Sequence, residues 1–249
     1  MKDILVSIAT RDRPNLLAKA LEMVFETGFD EQNFNVQVIV DNDQKEMYST
    51  ILNNYPQVIV KYIEHEKKSW YNIFQAQHNE MKKGYYFFMF LPDDISNLTL
   101  GWDNKIMRLK HHFKDDLFVL YTQFSEWGRE TKMLELAYVD EDVGRFWEQT
   151  PIWTYKFGEL LYPFMEENHI EMGRELFIAD IIKMLSMAGH NRHVACDINY
   201  KLICQTNTSK DDFPQYEKMK YQRYKYKKTS KSLLLESVVK KMREYINDS

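Results

Sequence analysis

The sequence is expected to fold as an α/β domain with a mostly parallel central sheet flanked by helices. In the first half, short buried strand-like runs alternate with segments of helical spacing, the rhythm of strands joined by crossover helices. Polar clusters also follow directly on the apolar runs, at 10–13, 41–43 and 93–94. In an open α/β sheet those positions share one edge, where the carboxyl ends of the strands meet a ligand crevice.

Ile4 to Ala9 reads as a buried strand. Pro14 suits the first turn of a helix, Leu17, Leu21, Val24 and Phe25 recur at helical spacing, and Gly28 stops the run. Val36 to Val40 is a second strand, followed by Asp41-Asn42-Asp43 and a short helix over Lys45 to Leu52. Val58 to Ile63 is a third strand, and Tyr71 to Lys83 a helix ended by Gly84. Tyr85 to Leu91 reads as a central strand because it is apolar throughout. Trp102, Ile106, Leu109 and Phe113 mark a further helix, and Leu117 to Tyr121 a strand. From Ser125 to Met172 the rhythm weakens into a loop-rich stretch containing Trp127, Trp147, Trp153, Tyr155 and Tyr162, most of them expected to be core. A helix over Glu175 to Ala188, a strand over Val194 to Ile203 and a final amphipathic helix through Leu235, Val238, Val239, Met242 and Ile246 complete the series.

Composition removes several function classes. The formal charge of -4 over 249 residues gives no overall field for a polyanion. The two cysteines, Cys196 and Cys204, lack the spacing of a zinc or redox motif and read as buried free thiols in a reducing compartment. No run approaches the length of a membrane span and the start does not resemble a secretory signal, so a cytoplasmic location is expected. Eight glycines argue against a glycine-rich phosphate loop, leaving side chains or a metal to neutralise a diphosphate.

Each polar cluster has two readings. Arg11 and Arg13 could be a solvated helix start, but cations near a positive helix N-terminus ask for an anionic partner. Asp41 and Asp43 suit turn or cap chemistry as well as ligand binding. Asp93 and Asp94 are more telling. Adjacent like charges at the mouth of an apolar strand repel unless a cation joins them, with a helix cap as the competing account.

Ile8-Ala9-Thr10-Arg11-Asp12-Arg13-Pro14 is similar to the opening motif of family 2 inverting glycosyltransferases of the GT-A fold. Val40-Asp41 resembles that family's second-strand aspartate, and Gly84 to Leu91 with Pro92-Asp93-Asp94 resembles its strand and DXD motif. The three matches agree in order and spacing across residues 3 to 115. Pro92 stands where a first Asp often lies, and the family's Ala-Arg-Asn segment is not recognisable in Phe74 to Lys83. The resemblance implies that Thr10, Arg11 and Arg13 hold the nucleotide or diphosphate and that Asp41 reads the base. It implies that Asp94 binds Mn²⁺ or Mg²⁺, with Asp93 assisting or contacting the sugar or ribose.

The resemblance also implies a general base near the start of a late helix, where Gly173-Arg174-Glu175 through Asp180 matches. Asp180 falls on the flank of the apolar stripe and is favoured over Glu175. No histidine is clearly placed as a third metal ligand, since His190 and His193 precede the last strand. Lys218 to Lys228 interleaves cations with aromatics, which suits an anionic membrane surface, nucleic acid or glycan as well as it suits a solvated segment. The expected organisation is a GT-A domain over 1–205, divided into a nucleotide-binding half (1–115) and an acceptor-binding half (116–205). A basic segment and helical appendage follow over 206–249. The expected function is metal-dependent, inverting transfer from a UDP- or GDP-sugar to a glycan or other hydroxyl acceptor. The alternative is a sugar-nucleotide or nucleic-acid binding module on the same fold.

Overall fold

The structure, a computed structural model, describes residues 2–64, 71–124, 152–167, 174–202 and 231–249. The strands are β1 (Ile4–Thr10), β2 (Phe34–Asp41), β3 (Ile59–Ile63), β4 (Phe87–Phe90), β5 (Ile95–Leu98), β6 (Val119–Phe124), β7 (Ile152–Thr154) and β8 (His193–Leu202). The α-helices are α1 (Pro14–Thr27), α2 (Lys45–Asn53), α3 (Tyr71–Met81), α4 (Trp102–Met107), α5 (Tyr155–Glu167), α6 (Arg174–Met187) and α7 (Lys231–Asp248). A 3₁₀ turn, Asn42–Gln44, precedes α2.

The strands form one sheet in the order β3-β2-β1-β4-β7-β6-β8-β5. Pairings β3·β2, β2·β1, β1·β4 and β6·β8 are parallel, while β4·β7, β7·β6 and β8·β5 are antiparallel. The expected mostly parallel sheet is therefore parallel in the half that carries the polar clusters and mixed beyond β4.

β1 is central, and six of its seven residues are buried because helices cover both faces. Its alternating side chains feed two cores. Ile4, Val6 and Ile8 pack with Leu17, Leu21 and Val24 of α1 and with Trp102 and Ile106 of α4. Leu5 joins Phe88, Phe74, Trp153, Phe157, Ile181 and Leu185 on the opposite face. Leu235, Val238, Val239 and Met242 seat α7 in this second core, with Ile246 packed against it. Trp153 and Tyr162 are core residues, as expected for most of these aromatics. Cys196 is buried in the first core.

Pro14 opens α1 and Gly28 closes it, its N–H donating to the Val24 carbonyl. A Cβ at Gly28 would lie 2.8 Å from the Phe34 ring, so the turn into β2 needs glycine for closeness.

Four elements depart from the expectations. β5 and β7 are short, at four and three residues, and the middle of β5 is exposed, so neither carries a clear alternation signal. α5 lies in the stretch that reads as loop. Pro163 stands inside it and Gly158 near its start, both weak helix formers. The helix persists because Phe157, Leu161 and Tyr162 are buried in the second core, and glycine stands at 158 because a Cβ there would crowd the Met81 side chain of α3. Finally, α4 stops at Met107 and not near Phe113, giving way to a turn in which His111 and Asp116 take φ of 58° and 55°. Leu109 and Phe113 still pack against the first core from that turn.

Trp127, Trp147, Cys204 and the Lys218 to Lys228 segment lie outside the described residues. No described helix is long and apolar enough to cross a membrane.

Candidate nucleotide-sugar site

Parallel pairing brings the three polar clusters together by register. β1 and β2 match Thr10 with Val40, so the next residues along, Arg11 and Asp41, stand side by side past the strand ends. β1 and β4 match Ser7 with Phe90, and Leu91 continues the ladder by donating its N–H to the Ser7 carbonyl at 3.0 Å. The same offset sets Thr10 beside Asp93, and the Thr10 hydroxyl donates to Asp93 Oδ2 at 2.7 Å.

Both arginines of the β1–α1 loop pair with acids of the neighbouring strands. Arg11 Nη1 donates to Asp41 Oδ2 at 2.5 Å, and Arg11 Nη2 to Asp43 Oδ2 at 2.9 Å. Hydrogen bonds to Asp43 and then Asp41 push the Arg11 guanidinium further above its ordinary value. Arg13 Nη2 lies 2.9 Å from Asp93 Oδ1, and its Nη1 3.9 Å from Asp94 Oδ2. The anionic partners that these cations ask for at a helix start are thus supplied by the protein itself.

The loop is held in place by α2. Tyr48, fully buried, accepts the Arg13 backbone N–H at 3.0 Å and lies 3.0 Å from the Thr10 hydroxyl. Because Thr10 gives its one proton to Asp93, Tyr48 must donate to Thr10. A directed chain therefore runs from the Arg13 amide through Tyr48 and Thr10 to Asp93, each link polarising the next. Asp12 takes the left-handed conformation at φ 57°, which Asp tolerates better than most residues. Its N–H donates to Gln44 Oε1 at 2.9 Å, and Gln44 returns a hydrogen bond to the Asp12 carboxylate. Tyr48 and Gln44 are organising residues with no motif of their own: a tyrosine on a short polar helix carries no sign that its hydroxyl turns inward.

Asp93 and Asp94 differ in what they can still do. Asp93 is 1% exposed and both its oxygens are engaged, by Thr10 and by Arg13. Asp94 keeps 25% of its side chain exposed and has Arg13 at the longer distance. Burial pushes both carboxyls above the ordinary aspartate value, opposed in Asp93 by the Thr10 bond and the Arg13 charge and in Asp94 chiefly by the Arg13 charge. Mg²⁺-type sites commonly take one or two carboxylates plus substrate phosphates. Asp94 fits that donor set, while Asp93 does not, being closed on both oxygens. Among the described residues, no three His, Cys, Asp or Glu side chains gather as a metal-binding group.

The two candidate bases lie on α6, on the second-core face of the sheet. Asp180 is half-buried beside the buried Ile181, whereas the Glu175 side chain lies outside what is described. His193 begins β8 opposite Val119, at the far end of the sheet from the cluster.

No family model and no curated protein matches the chain. Solved structures do. S. aureus TarS 1-349 in complex with UDP matches over 81% of this chain and 61% of its own, at TM-score 0.54 and 14% identity. The mannosyltransferase PcManGT from Pyrobaculum calidifontis, in complex with GDP-Man and Mn²⁺, matches over 83% and 58% at TM-score 0.54 and 12% identity. The glucosyl-3-phosphoglycerate synthase of Mycobacterium tuberculosis, in complex with Mn²⁺, UDP and glucosyl-3-phosphoglycerate, matches over 85% and 74% at TM-score 0.51 and 12% identity. The chain has the GT-A glycosyltransferase fold. It spans about 60% of the length of TarS 1-349, and at these identities the likeness is one of fold.

Tyr48→Phe removes the middle of the relay and strands the Arg13 amide and Thr10. It is expected to cost about 1–3 kcal/mol in urea unfolding, the range for leaving a buried polar partner unmet. Asp94→Asn is expected to raise the melting temperature of the ligand-free protein by a few degrees at neutral pH. A carboxyl with a raised folded pKa releases its proton first in the unfolded chain, so it lowers stability as pH rises from the ordinary aspartate value through the folded one. The gain should therefore grow as pH rises above the ordinary value and vanish below it, where the carboxyl is protonated in both states; melts of both proteins across that range check this.

Proposed function

We propose that the chain is a glycosyltransferase that moves a sugar from a nucleotide-diphospho-sugar, most simply a UDP- or GDP-sugar, to an acceptor hydroxyl with inversion. The observation that carries this reading is the convergence of Thr10, Arg11, Arg13, Asp41, Asp93 and Asp94 at the carboxyl ends of β1, β2 and β4. That edge belongs to a fold shared with structures solved in complex with UDP and with GDP-Man.

Asp41, held in orientation by Arg11, reads the base edge as a hydrogen-bond acceptor. Arg11, engaged by two carboxylates, positions Asp41 and stays out of the phosphate site. Thr10 and Tyr48 fix Asp93, which in turn holds the β4 end and Arg13. Asp94 is the carboxylate that would hold Mn²⁺ or Mg²⁺, and the ion would neutralise the departing diphosphate. Arg13, 41% exposed, can reach a phosphate as a planar fork.

An inverting transfer also needs a base for the acceptor hydroxyl. α6 supplies it. The helix leads through Gly189 into the start of β8, so its first turn points toward the ligand edge. At 1.5 Å per residue Asp180 lies about 9 Å along the axis from Arg174. That height favours Glu175 for direct proton abstraction, while half-burial favours Asp180 as the carboxylate facing a cleft.

The donor is tested by thermal shift with UDP, GDP, CDP and dTDP and their sugars, each with Mn²⁺ or EDTA. A ligand bound by the folded state alone raises the melting temperature, by about 2.7 kcal/mol of added stability at a hundredfold excess over Kd. One nucleoside diphosphate is expected to do so with Mn²⁺ and to lose the effect in Asp94→Ala. A protein unmoved by every nucleotide would sink this reading. Once the donor is known, Glu175→Gln and Asp180→Asn are assayed for transfer. The true base should lose about 10²–10⁴-fold in kcat with donor binding retained, and the other variant should stay near wild type.

A further inference from the structure

We propose that Arg13 is a placeholder cation: it neutralises the Asp93–Asp94 pair while no diphosphate is bound, and releases Asp94 to a divalent metal only when a diphosphate draws its guanidinium away. The proposal rests on the assignment of Asp94 as metal ligand and adds an order to it. Metal affinity becomes conditional on the nucleotide.

The geometry is asymmetric in a way that suits such an exchange. Asp93 holds one end of the fork at 2.9 Å, and Asp93 itself is pinned by the Thr10 hydroxyl at 2.7 Å and 1% exposed. The other end of the fork reaches Asp94 only at 3.9 Å, beyond hydrogen-bonding distance. The pairing with Asp94 is therefore the weaker of the two and the one that opens to solvent. Arg13 is the more exposed partner in both contacts, at 41% against 1% and 25%. Its backbone, by contrast, is held by the bond from its N–H to Tyr48 and by Pro14 at the helix start. Only the side chain is left to move.

Charge gives the direction. Two adjacent carboxylates at the mouth of a buried strand repel one another, and Arg13 is the cation that stands against both of them, at 2.9 Å from Asp93 and 3.9 Å from Asp94. A divalent ion on Asp94 would stand beside that guanidinium, so without a diphosphate it must either bear the repulsion or displace the arginine from its acids. A diphosphate removes the conflict by offering the fork bidentate oxygens and the metal further hard ligands at once. Arg11 cannot play this part because Asp41 and Asp43 hold it from two sides.

The test is direct binding of Mn²⁺, followed by electron paramagnetic resonance of the free ion, to wild type, Arg13→Gln and Arg13→Met, each alone and with UDP or GDP. In wild type, Mn²⁺ alone should bind weakly and should tighten about tenfold or more with the diphosphate the protein accepts. The diphosphate should tighten by the same factor with Mn²⁺. In Arg13→Gln, Mn²⁺ alone should bind about tenfold tighter than to wild type, and the tightening by the nucleotide should be about tenfold smaller than in wild type. Arg13→Met keeps the apolar stem and drops the charge, so it carries the same expectation should the glutamine variant fail to fold, which circular dichroism reports. Wild type binding Mn²⁺ as tightly alone as with diphosphate overturns the proposal without any variant. Coupling that survives unchanged in the folded variants overturns it while leaving the nucleotide-sugar reading intact. No binding of UDP, GDP, CDP or dTDP under any condition removes both together, and diphosphate binding without Mn²⁺ in any combination removes Asp94 as a metal ligand and this proposal with it.

Discussion

The hydrogen bond from Thr10 to Asp93 is the point on which the ligand edge turns, because it extends the β1–β4 register past the last ladder bond and closes the gap between two strand ends. A parallel sheet gives this kind of alignment without special loops. Once Ser7 is matched with Phe90 and Thr10 with Val40, the residues just beyond must face one another across neighbouring strands. The two arginines then complete the edge, each pairing with the acids of one neighbouring strand. The site is a charge-compensated lattice, with each of the two arginines answered by an acid.

Compensation of this kind is what allows carboxylates to remain at the end of a hydrophobic strand. An uncompensated buried charge would protonate or unfold the edge. Arg13 prevents this for Asp93, and the relay through Tyr48 and Thr10 spends each hydroxyl proton on a specific acceptor, leaving the arginine's side chain as the part with freedom. A held backbone with a part-exposed guanidinium suits the proposed exchange of an acid for a phosphate. The supporting residues sit on α2 and the 3₁₀ turn before it, so the clamp on the β1–α1 loop comes from the element that follows β2.

Much of the fold could be read along the chain. The strands of the parallel half announce themselves as apolar runs because both of their faces are covered, and α1 is bracketed by Pro14 and Gly28 for reasons of local geometry. The mixed half was harder. β5 and β7 are too short to show a period, and α5 contains Pro163 and Gly158, which locally weaken a helix that tertiary packing then restores. Site residues divide in the same way. Arg11, Arg13, Asp41, Asp93 and Asp94 stand out because charges directly after buried strands are hard to explain otherwise. Tyr48 and Gln44 do not, because their contribution depends on where α2 comes to rest.

The sequence by itself determined which residues stand at the ends of the parallel strands, since continuous apolar runs and the polar punctuation after them are local properties of the chain. Only the tertiary structure decided how those residues share their charges: that Arg11 is committed to Asp41 and Asp43, that Asp93 is sealed, and that Asp94 is the carboxylate left open. The physical reason is that ion pairing and desolvation depend on distances between residues 30 to 83 positions apart, which register and helix packing set together.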